Sequence, residues 1–519
     1  MHFWGQKLLV KLIEAASTAN RQKPNEAVAA SVDRRNSPND SLGEHEGLEA
    51  LRKQLTGIAD VVFQTGKTVK GTTFTLVYVE TITDKKALRE SLLQPLLYQP
   101  ETVSGQDLDP SALALTSTSV GTNATERIVF AMMEGKTAVF SAKRVLLFDL
   151  KNIQSRGIAE ARNEMVIVGP QEGFNENPED NLSLLRGILQ HPDLKVEKFI
   201  LGRYTRTQAF LIYIEKIGNV QVLEEIRGKL QTIDRDAVMG ASLVIEYLEN
   251  YPFSPFPELQ YTERPDTLAA SLLEGRIGLL VSGTPNAIIA PVSFFTLMQS
   301  AEDYYQRFLS ASWIRWIRYF FVLVSFLFPS VYVAITTFHP ELLPASLLLT
   351  IAAARENIPF SSLIEAFIME ITFEALREAG IRIPKPIGQT ISILGAIIIG
   401  QTAIQTGIVS APTVIVVSMT GIATFIIPHY ELGLSFRMLR FPVLLLGGTL
   451  GLLGVILAVF LIYLHMVHLK SFGSPYMAPL SPLTTDGMKD VFIRANWRAM
   501  DKRPKVFGTG NLKRTSRKK

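Results

Sequence analysis

The sequence predicts a chain in two parts, duplicated α/β subdomains followed by a polytopic helical membrane domain, so the fold class is α/β plus α-helical membrane. Three observations carry that prediction. From about residue 50 to 292 helical and strand-like stretches alternate. Two of these stretches occur twice. Beyond residue 319 lie long uncharged apolar runs, in a chain that is 47% hydrophobic, which is high for a soluble protein and low for one built of spans alone.

Residues 1–49 form an N-terminal tail. Its start, "MHFWGQKLLVKLIEAA", is no secretory signal, because Lys7 and Lys11 interrupt the apolar stretch. It is either an interfacial amphipathic helix or a frayed end, and residues 17–45 are polar enough to read as a disordered linker.

Two α/β subdomains follow, 50–155 and 156–292, both expected to be cytoplasmic. "GKTVKGTTFTLVYVE" (66–80) is repeated in pattern by "GRYTRTQAFLIYIE" (202–215). "MEGKTAVFSAKRVLLFDL" (133–150) is repeated by "LEGRIGLLVSGTPNAIIAP" (273–291), each a helix end, a Glu-Gly-basic turn, a strand, a short turn and a strand. The repeat decides one ambiguous segment. Residues 277–295 are apolar enough to suggest a span, but Ser282-Gly283-Thr284-Pro285-Asn286 is a turn cluster, and a soluble hairpin is expected.

Several function classes drop out here. The net charge of +4 is small for 519 residues, and no RNA- or DNA-reading motif appears, so no nucleic-acid partner is expected. With no cysteine there is no disulfide, thiolate catalysis or cysteine-ligated metal. "TGKT" (65–68) hints at a phosphate loop, but Val61 stands where the loop needs its first glycine. The seven histidines show no metal spacing, and no catalytic constellation is visible. No enzyme activity, cofactor or metal is expected.

A juxtamembrane helix is expected over 293–318, then a membrane domain over 319–468. Residues 319–338 are uncharged for 20 positions, enough for about 30 Å of hydrocarbon. Residues 387–428 are uncharged for 42 positions and read as two spans, near 387–407 and 411–428. A further span near 441–464 is rich in glycine, which lets helices approach closely. Residues 342–380 are membrane-associated, so the count is four spans, or six if both 342–354 and 361–379 cross. Arg315 and Arg318 precede the first span, and residues 470–519 carry twelve Lys or Arg against three Asp. Both termini therefore belong on the cytoplasmic side, with 469–519 a basic cytoplasmic tail. Arg437 and Arg440 strain that rule by falling on the outer side of a four-span chain.

The stretch "ARENIPFSSLIEAFIMEITFEALREAG" (354–380) sets seven ionisable side chains among these apolar segments. On a helix, Glu370, Glu374 and Arg377 share one face. Exposing that face to lipid would cost on the order of 3 kcal/mol per charge. The helix therefore either lies amphipathically at the interface or lines a polar path through an oligomer, where carboxylates favour cations. For such a path the candidates are Glu365, Glu370 and Glu374, with Gln389, Ser392, Gly395 and Gln401 at the wall. Four spans leave little room for a pore in one chain, so a pore implies several copies.

"SPFPELQYTERPD" (254–266), "VSFFTLMQSAEDYYQRFLSASWIRWIR" (292–318), "HPELLPASLLLTIAAARENIPF" (339–360), "EAFIMEITFEALREAGIRIPKPIGQTISILGAIIIGQTAI" (365–404) and "SFGSPYMAPLSP" (471–482) resemble the A subunit of GerA-type spore germinant receptors. The resemblance implies an oligomeric protein of the spore inner membrane. It implies partners, a transporter-like B subunit and a lipoprotein C subunit, and a nutrient-gated cation channel whose opening begins germination. It also implies that Gly169, Pro170, Glu172, Gly173, Phe174, Asn181 and Arg186 make subdomain or assembly contacts. Two positions depart from the family pattern: Val168 replaces the usual arginine, and Gly187 a common basic residue. The alternatives are a spore-membrane paralogue acting as scaffold or amplifier of ion release, and a solute transporter with its site in the broken 387–428 run.

Overall fold

The computed structural model describes residues 44–514, except 101–102, 105–106, 109–112, 114, 122–123, 142–143, 153–158, 383–399 and 486. The tail readings at 1–43 lie outside the described residues.

The first sheet comprises β1 (Val61–Lys67), β2 (Thr73–Val79), β3 (Ser117–Val120), β4 (Lys136–Phe140) and β5 (Val145–Asp149) in the order β1-β2-β4-β5-β3, antiparallel throughout. The second comprises β6 (Leu194–Leu201), β7 (Thr207–Ile214), β8 (Gln260–Thr262), β9 (Ile277–Val281) and β10 (Ala287–Ala290) in the order β6-β7-β9-β10-β8, also antiparallel. The two sheets thus have one topology, and the repeated segments supply equivalent strands: β2 with β7, β4-β5 with β9-β10. Residues 277–290 are a hairpin.

Both faces of each sheet are covered at the centre, which is why inner strands such as β2, β5, β9 and β10 read as near-continuous apolar runs rather than alternating ones. In the first, Val77, Val79 and Phe140 pack with α1 (Glu44–Gln54) and α2 (Thr125–Met133), while Phe74, Leu76 and Phe148 pack against the helical run 85–98. In the second, Phe210, Ile212 and Ile289 meet α3 (Pro178–Ile188) and α6 (Pro265–Leu273). Leu211, Leu279 and Ile288 meet α4 (Val220–Thr232) and α5 (Ala241–Leu248).

The expected juxtamembrane helix 293–318 is instead two short turns, Phe294–Leu297 and Glu302–Tyr305, followed by α7 (Phe308–Phe338), which runs unbroken into the apolar segment. A helical bundle follows: α7, α8 (Ala345–Arg355), α9 (Ser362–Arg382), α10 (Ala411–Phe425) and α11 (Tyr430–His468). Among the described residues α7 and α11 are long and apolar enough to cross a membrane, and α8 and α10 are shorter apolar helices.

The span expected at 441–464 is not one straight helix. At Gly451 the backbone takes φ 64° and ψ −148°, and α11 reverses. The Phe256 ring lies 5.8 Å from the Phe436 ring and 6.1 Å from that of His465. Those two residues would stand about 43 Å apart on a straight helix. Positive φ suits glycine, which has no Cβ to clash. Gly448 serves close approach: a Cβ there would fall 2.5 Å from Leu363 Cδ1.

The expected basic tail packs back as a strap. Ser471 Oγ donates to Glu258 O at 2.7 Å, Asn219 Nδ2 to Phe507 O at 2.9 Å, and Arg514 pairs with Glu274 at 2.6 Å. It ties the end of α11 to the second subdomain.

Candidate functional site

Three glutamates of α9, at three levels along the helix, each meet an arginine. Glu365 and Glu370 are 0% and 1% exposed, so neither carboxylate meets solvent in the single chain. At the first level Glu365 Oε1 accepts from the backbone N–H and hydroxyl of Ser410, which caps α10, and Oε2 lies 3.5 Å from Arg355 Nε at the end of α8. At the second, Arg440 of α11 pairs with Glu370 and also donates to Ser325 O at 2.9 Å and Thr424 Oγ1 at 3.0 Å. Glu370 Oε1 is buried without a hydrogen-bond partner among the described residues. At the third, Arg437 donates to Glu374 at 2.9 Å, and Arg377 lies 3.9 Å from the same carboxylate with its guanidinium 4.6 Å from the Phe425 ring centroid. A buried unpaired carboxylate costs several kcal/mol, and an opposed guanidinium with further hydrogen bonds offsets that cost. Paired charge thus joins α9 to α8 and α11, and hydrogen bonds extend the brace to α7 and α10.

Glu370 and Glu374 thus share one helix face and meet α11, while Glu365, five residues before Glu370, is rotated from it by about 140° and meets α8 and α10. Gln401 lies on a short helical stretch, 400–405, exposed on the bundle and apart from them. Gln389, Ser392 and Gly395 lie outside the described residues. Sequence reasoning missed Arg355, Arg437 and Arg440 as partners. The signal was present: two arginines three apart in an apolar helix, on the wrong side for the charge rule, need buried anions.

Among the contacts implied for the α/β half, Arg186 is 1% exposed and grips Asp60 of the first subdomain, Nε to Oδ2 at 2.6 Å and Nη2 to Oδ1 at 2.7 Å. Beside it, Lys195 Nζ donates to Thr56 O at 2.7 Å, and residues 57–59 pair with Val196 in parallel. No sequence signal marked Asp60, which is 126 residues from Arg186. Asn181 pins the preceding loop, accepting from Asn175 N at 2.8 Å and donating to Asn175 O at 2.7 Å. Phe174 is buried and donates its N–H to Glu263 O at 2.7 Å, while Glu172 and Gly173 pair with Glu160 and Ala159. Pro170 O accepts from Arg264 at 2.8 Å, and Gly169, at φ 128°, lies against the Tyr305 ring just before α7. Val168 is exposed, and nothing in the structure explains Gly187 in the last turn of α3.

The α/β half joins the bundle through two buried polar clusters. In one, Arg276 Nη2 donates to Gln260 Oε1 at 2.7 Å, and Gln260 Nε2 lies 2.9 Å from His429 Nε2. His429 Nδ1 lies 2.9 Å from Leu297 O. Leu297 O only accepts, so Nδ1 carries the proton and Nε2 accepts from Gln260. His429 is therefore neutral, and burial pushes its pKa down to about 4. In the other, Asp303 binds Arg318 at 3.0 Å and Arg315 at 2.9 Å, and Arg315 reaches Asp490 of the strap at 2.8 Å. Burial would raise the Asp303 pKa, but the two guanidiniums outweigh it and hold the carboxyl below the usual range. Arg315 and Arg318, two of the residues on which the expected orientation rests, are thus paired with carboxylates of the Glu302–Tyr305 turn and the strap.

Among the described residues no three His, Cys, Asp or Glu side chains gather as a metal site. Comparison with known proteins gives the lineage. The family model described as "Bacillus/Clostridium GerA spore germination protein" matches residues 49–506. "Uncharacterized membrane protein YfkQ" of Bacillus subtilis is 41% identical over 90% of this chain and 91% of that one. "Spore germination protein KA" of the same organism is 38% identical over 83% and 80%, and "Spore germination protein A1" 35% identical over 87% and 93%. A crystal structure of the N-terminal domain of the A subunit of the Bacillus megaterium spore germinant receptor GerK3 is 28% identical, covering 48% of this chain and 95% of that one, with a TM-score of 0.37. A family match from residue 49 to 506, with curated relatives matched along most of their length, places this chain in the GerA family of spore germination proteins.

Proposed function

We propose that this chain is a germinant-receptor A subunit of the spore inner membrane, acting with a transporter-like B subunit and a lipoprotein C subunit in nutrient-triggered germination. Several copies enclose a cation path, and α9 stands beside it. The observation that carries the reading is the outward placement of polar side chains on an otherwise apolar bundle. Leu453, Ile456, Phe460 and Leu461 are exposed, as lipid-facing groups should be, whereas Gln401, Thr402 and Gln405 are also exposed. In hydrocarbon those amides would lose their hydrogen bonds, so they face water or another copy. Glu374, 37% exposed, is the acidic group of α9 best placed to attract ions, with Glu365 and Glu370 committed to bracing.

The described helices support a multi-pass reading with both termini cytoplasmic. The start of α7 and both ends of α11 lie at the α/β half, and Phe338 meets Gly451 at the opposite end. Glu365 sits toward that far end beside Ser410, and Arg377 beside Gly421, so α9 and α10 both return toward the α/β half. The span expected near 387–407 lies outside the described residues up to 399. Each leg of α11 is about 25–31 Å long at 1.5 Å per residue, and α9 about 31 Å.

The test is single-channel and flux recording on full-length protein in proteoliposomes. Glu374→Gln should lower cation conductance, and Gln401→Leu should lower it again. Unchanged conductance in both, with normal insertion, removes the path from this face.

A further inference from the structure

Where the strap passes the start of α7, it carries aromatic and basic groups to the level at which the apolar segment begins. The Phe492 ring lies 5.0 Å from that of Tyr319, the first residue of the uncharged run, and Tyr319 Oη donates to Val491 O at 3.4 Å. Arg494 N donates to Ser312 Oγ at 3.1 Å, which holds the strap along the helix. On the α7 side Trp313, Trp316 and Phe320 form an exposed stripe, 63%, 53% and 58%, at helical spacing. On the strap side Ile493 and Trp497 are exposed, 52% and 53%. Past them Arg498 and Lys505 face outward.

Exposed tryptophans one to two turns before a hydrocarbon-length segment match the headgroup level of a bilayer, where an apolar ring and a wet N–H are both satisfied. Trp316 stands about 4.5 Å before Tyr319 along the helix, within the roughly 5–8 Å headgroup layer of each face, and Trp313 about 9 Å before it, at the layer's outer edge. On the strap Arg498, Lys502 and Lys505 are exposed, so the segment that follows Ile493 and Trp497 presents positive charge. Apolar wedges backed by cations complement an anionic lipid surface.

We propose that residues 492–498 of the strap, with Trp313 and Trp316, form a membrane-surface site that takes anionic lipid headgroups. The proposal rests on the reading of the bundle as membrane-spanning. Ile493 and Trp497 seat in the headgroup layer, and Arg498 and Lys505 meet lipid phosphates. The strap, tied at its other end to the second subdomain through Arg514 and Glu274, thereby fixes how high that subdomain stands above the bilayer.

The chain has no cysteine, so single-cysteine variants of the full-length protein need no background change. Ile493→Cys, Phe460→Cys and Met239→Cys are labelled with a bimane fluorophore and reconstituted in vesicles containing shallow spin-labelled lipid or deeply brominated lipid. Shallow lipid should quench the label at 493, deep lipid should quench it at 460, and neither should quench it at 239. In vesicles of zwitterionic lipid alone, quenching at 493 should fall at least twofold relative to vesicles with 30% phosphatidylglycerol, and Arg498→Glu with Lys505→Glu should reproduce that loss. Quenching at 460 without quenching at 493 overturns the site while leaving the spanning reading intact, whether the label at 493 is open to aqueous iodide or covered by protein. No quenching at 460 overturns the spanning reading itself. Equal quenching at 493 in the two lipids refutes the anionic preference.

Discussion

Replacing Arg440 by methionine should destabilise the bundle by about 3–5 kcal/mol, because Glu370 would then be a buried carboxylate without its counter-charge. The structure allows the cost to be divided. Arg440, 2% exposed, donates to Glu370, to Ser325 O at 2.9 Å and to Thr424 Oγ1 at 3.0 Å. In the double variant Arg440→Met with Glu370→Met the orphaned charge is gone. What remains lost is two hydrogen bonds to neutral acceptors, about 1 kcal/mol each. Thr424 keeps its own donation to Thr420 O at 3.1 Å, which limits one of those losses. The double variant should therefore cost about 1–2 kcal/mol, less than either single one, so with singles of about 3–5 kcal/mol each the coupling is at least about 4 kcal/mol. The assay is unfolding of the full-length protein in mixed micelles titrated with denaturing detergent, followed by circular dichroism. If the single variants each cost under about 1 kcal/mol, or if the double cost equals their sum, the two groups do not act as a buried pair and the bracing argument fails.

Arg186→Leu should weaken the joint between the subdomains by a similar amount, about 3–5 kcal/mol, since it strands the buried Asp60, and Arg186→Lys should keep the charge but lose the two-point grip. Limited proteolysis near residues 151–160 should then accelerate, and an unchanged cleavage rate in Arg186→Leu would rule out that role for the pair. His429 gives an acid limb. Its folded pKa of about 4 lies below its ordinary 6.5, so the folded protein binds fewer protons between those values. Stability is full above 6.5 and falls by roughly 3 kcal/mol as pH drops to 4. His429→Gln, which keeps a donor for Leu297 O and an acceptor for Gln260, should flatten that limb in thermal melts recorded across the range.

The strands, the repeated subdomains and the apolar segments were legible in the sequence because each is a local property. β-branched and aromatic runs such as "TLVYV" prefer extended backbone, and 20 uncharged residues in a row declare an apolar segment wherever they pack. The acidic stretch at 354–380 was equally visible, and so was the need to shield it. What shields it was not. Glu370 meets Arg440 from 70 residues away, Glu374 meets Arg437 from 63, and Asp60 meets Arg186 from 126. Each carboxylate had many arginines to choose from, and only the packing of one helix or sheet on another decides which guanidinium is within reach. Gly451 is the same case in the backbone. The sequence marks a glycine-rich helix, but whether that glycine continues or reverses the chain depends on the neighbours that fill the space on either side.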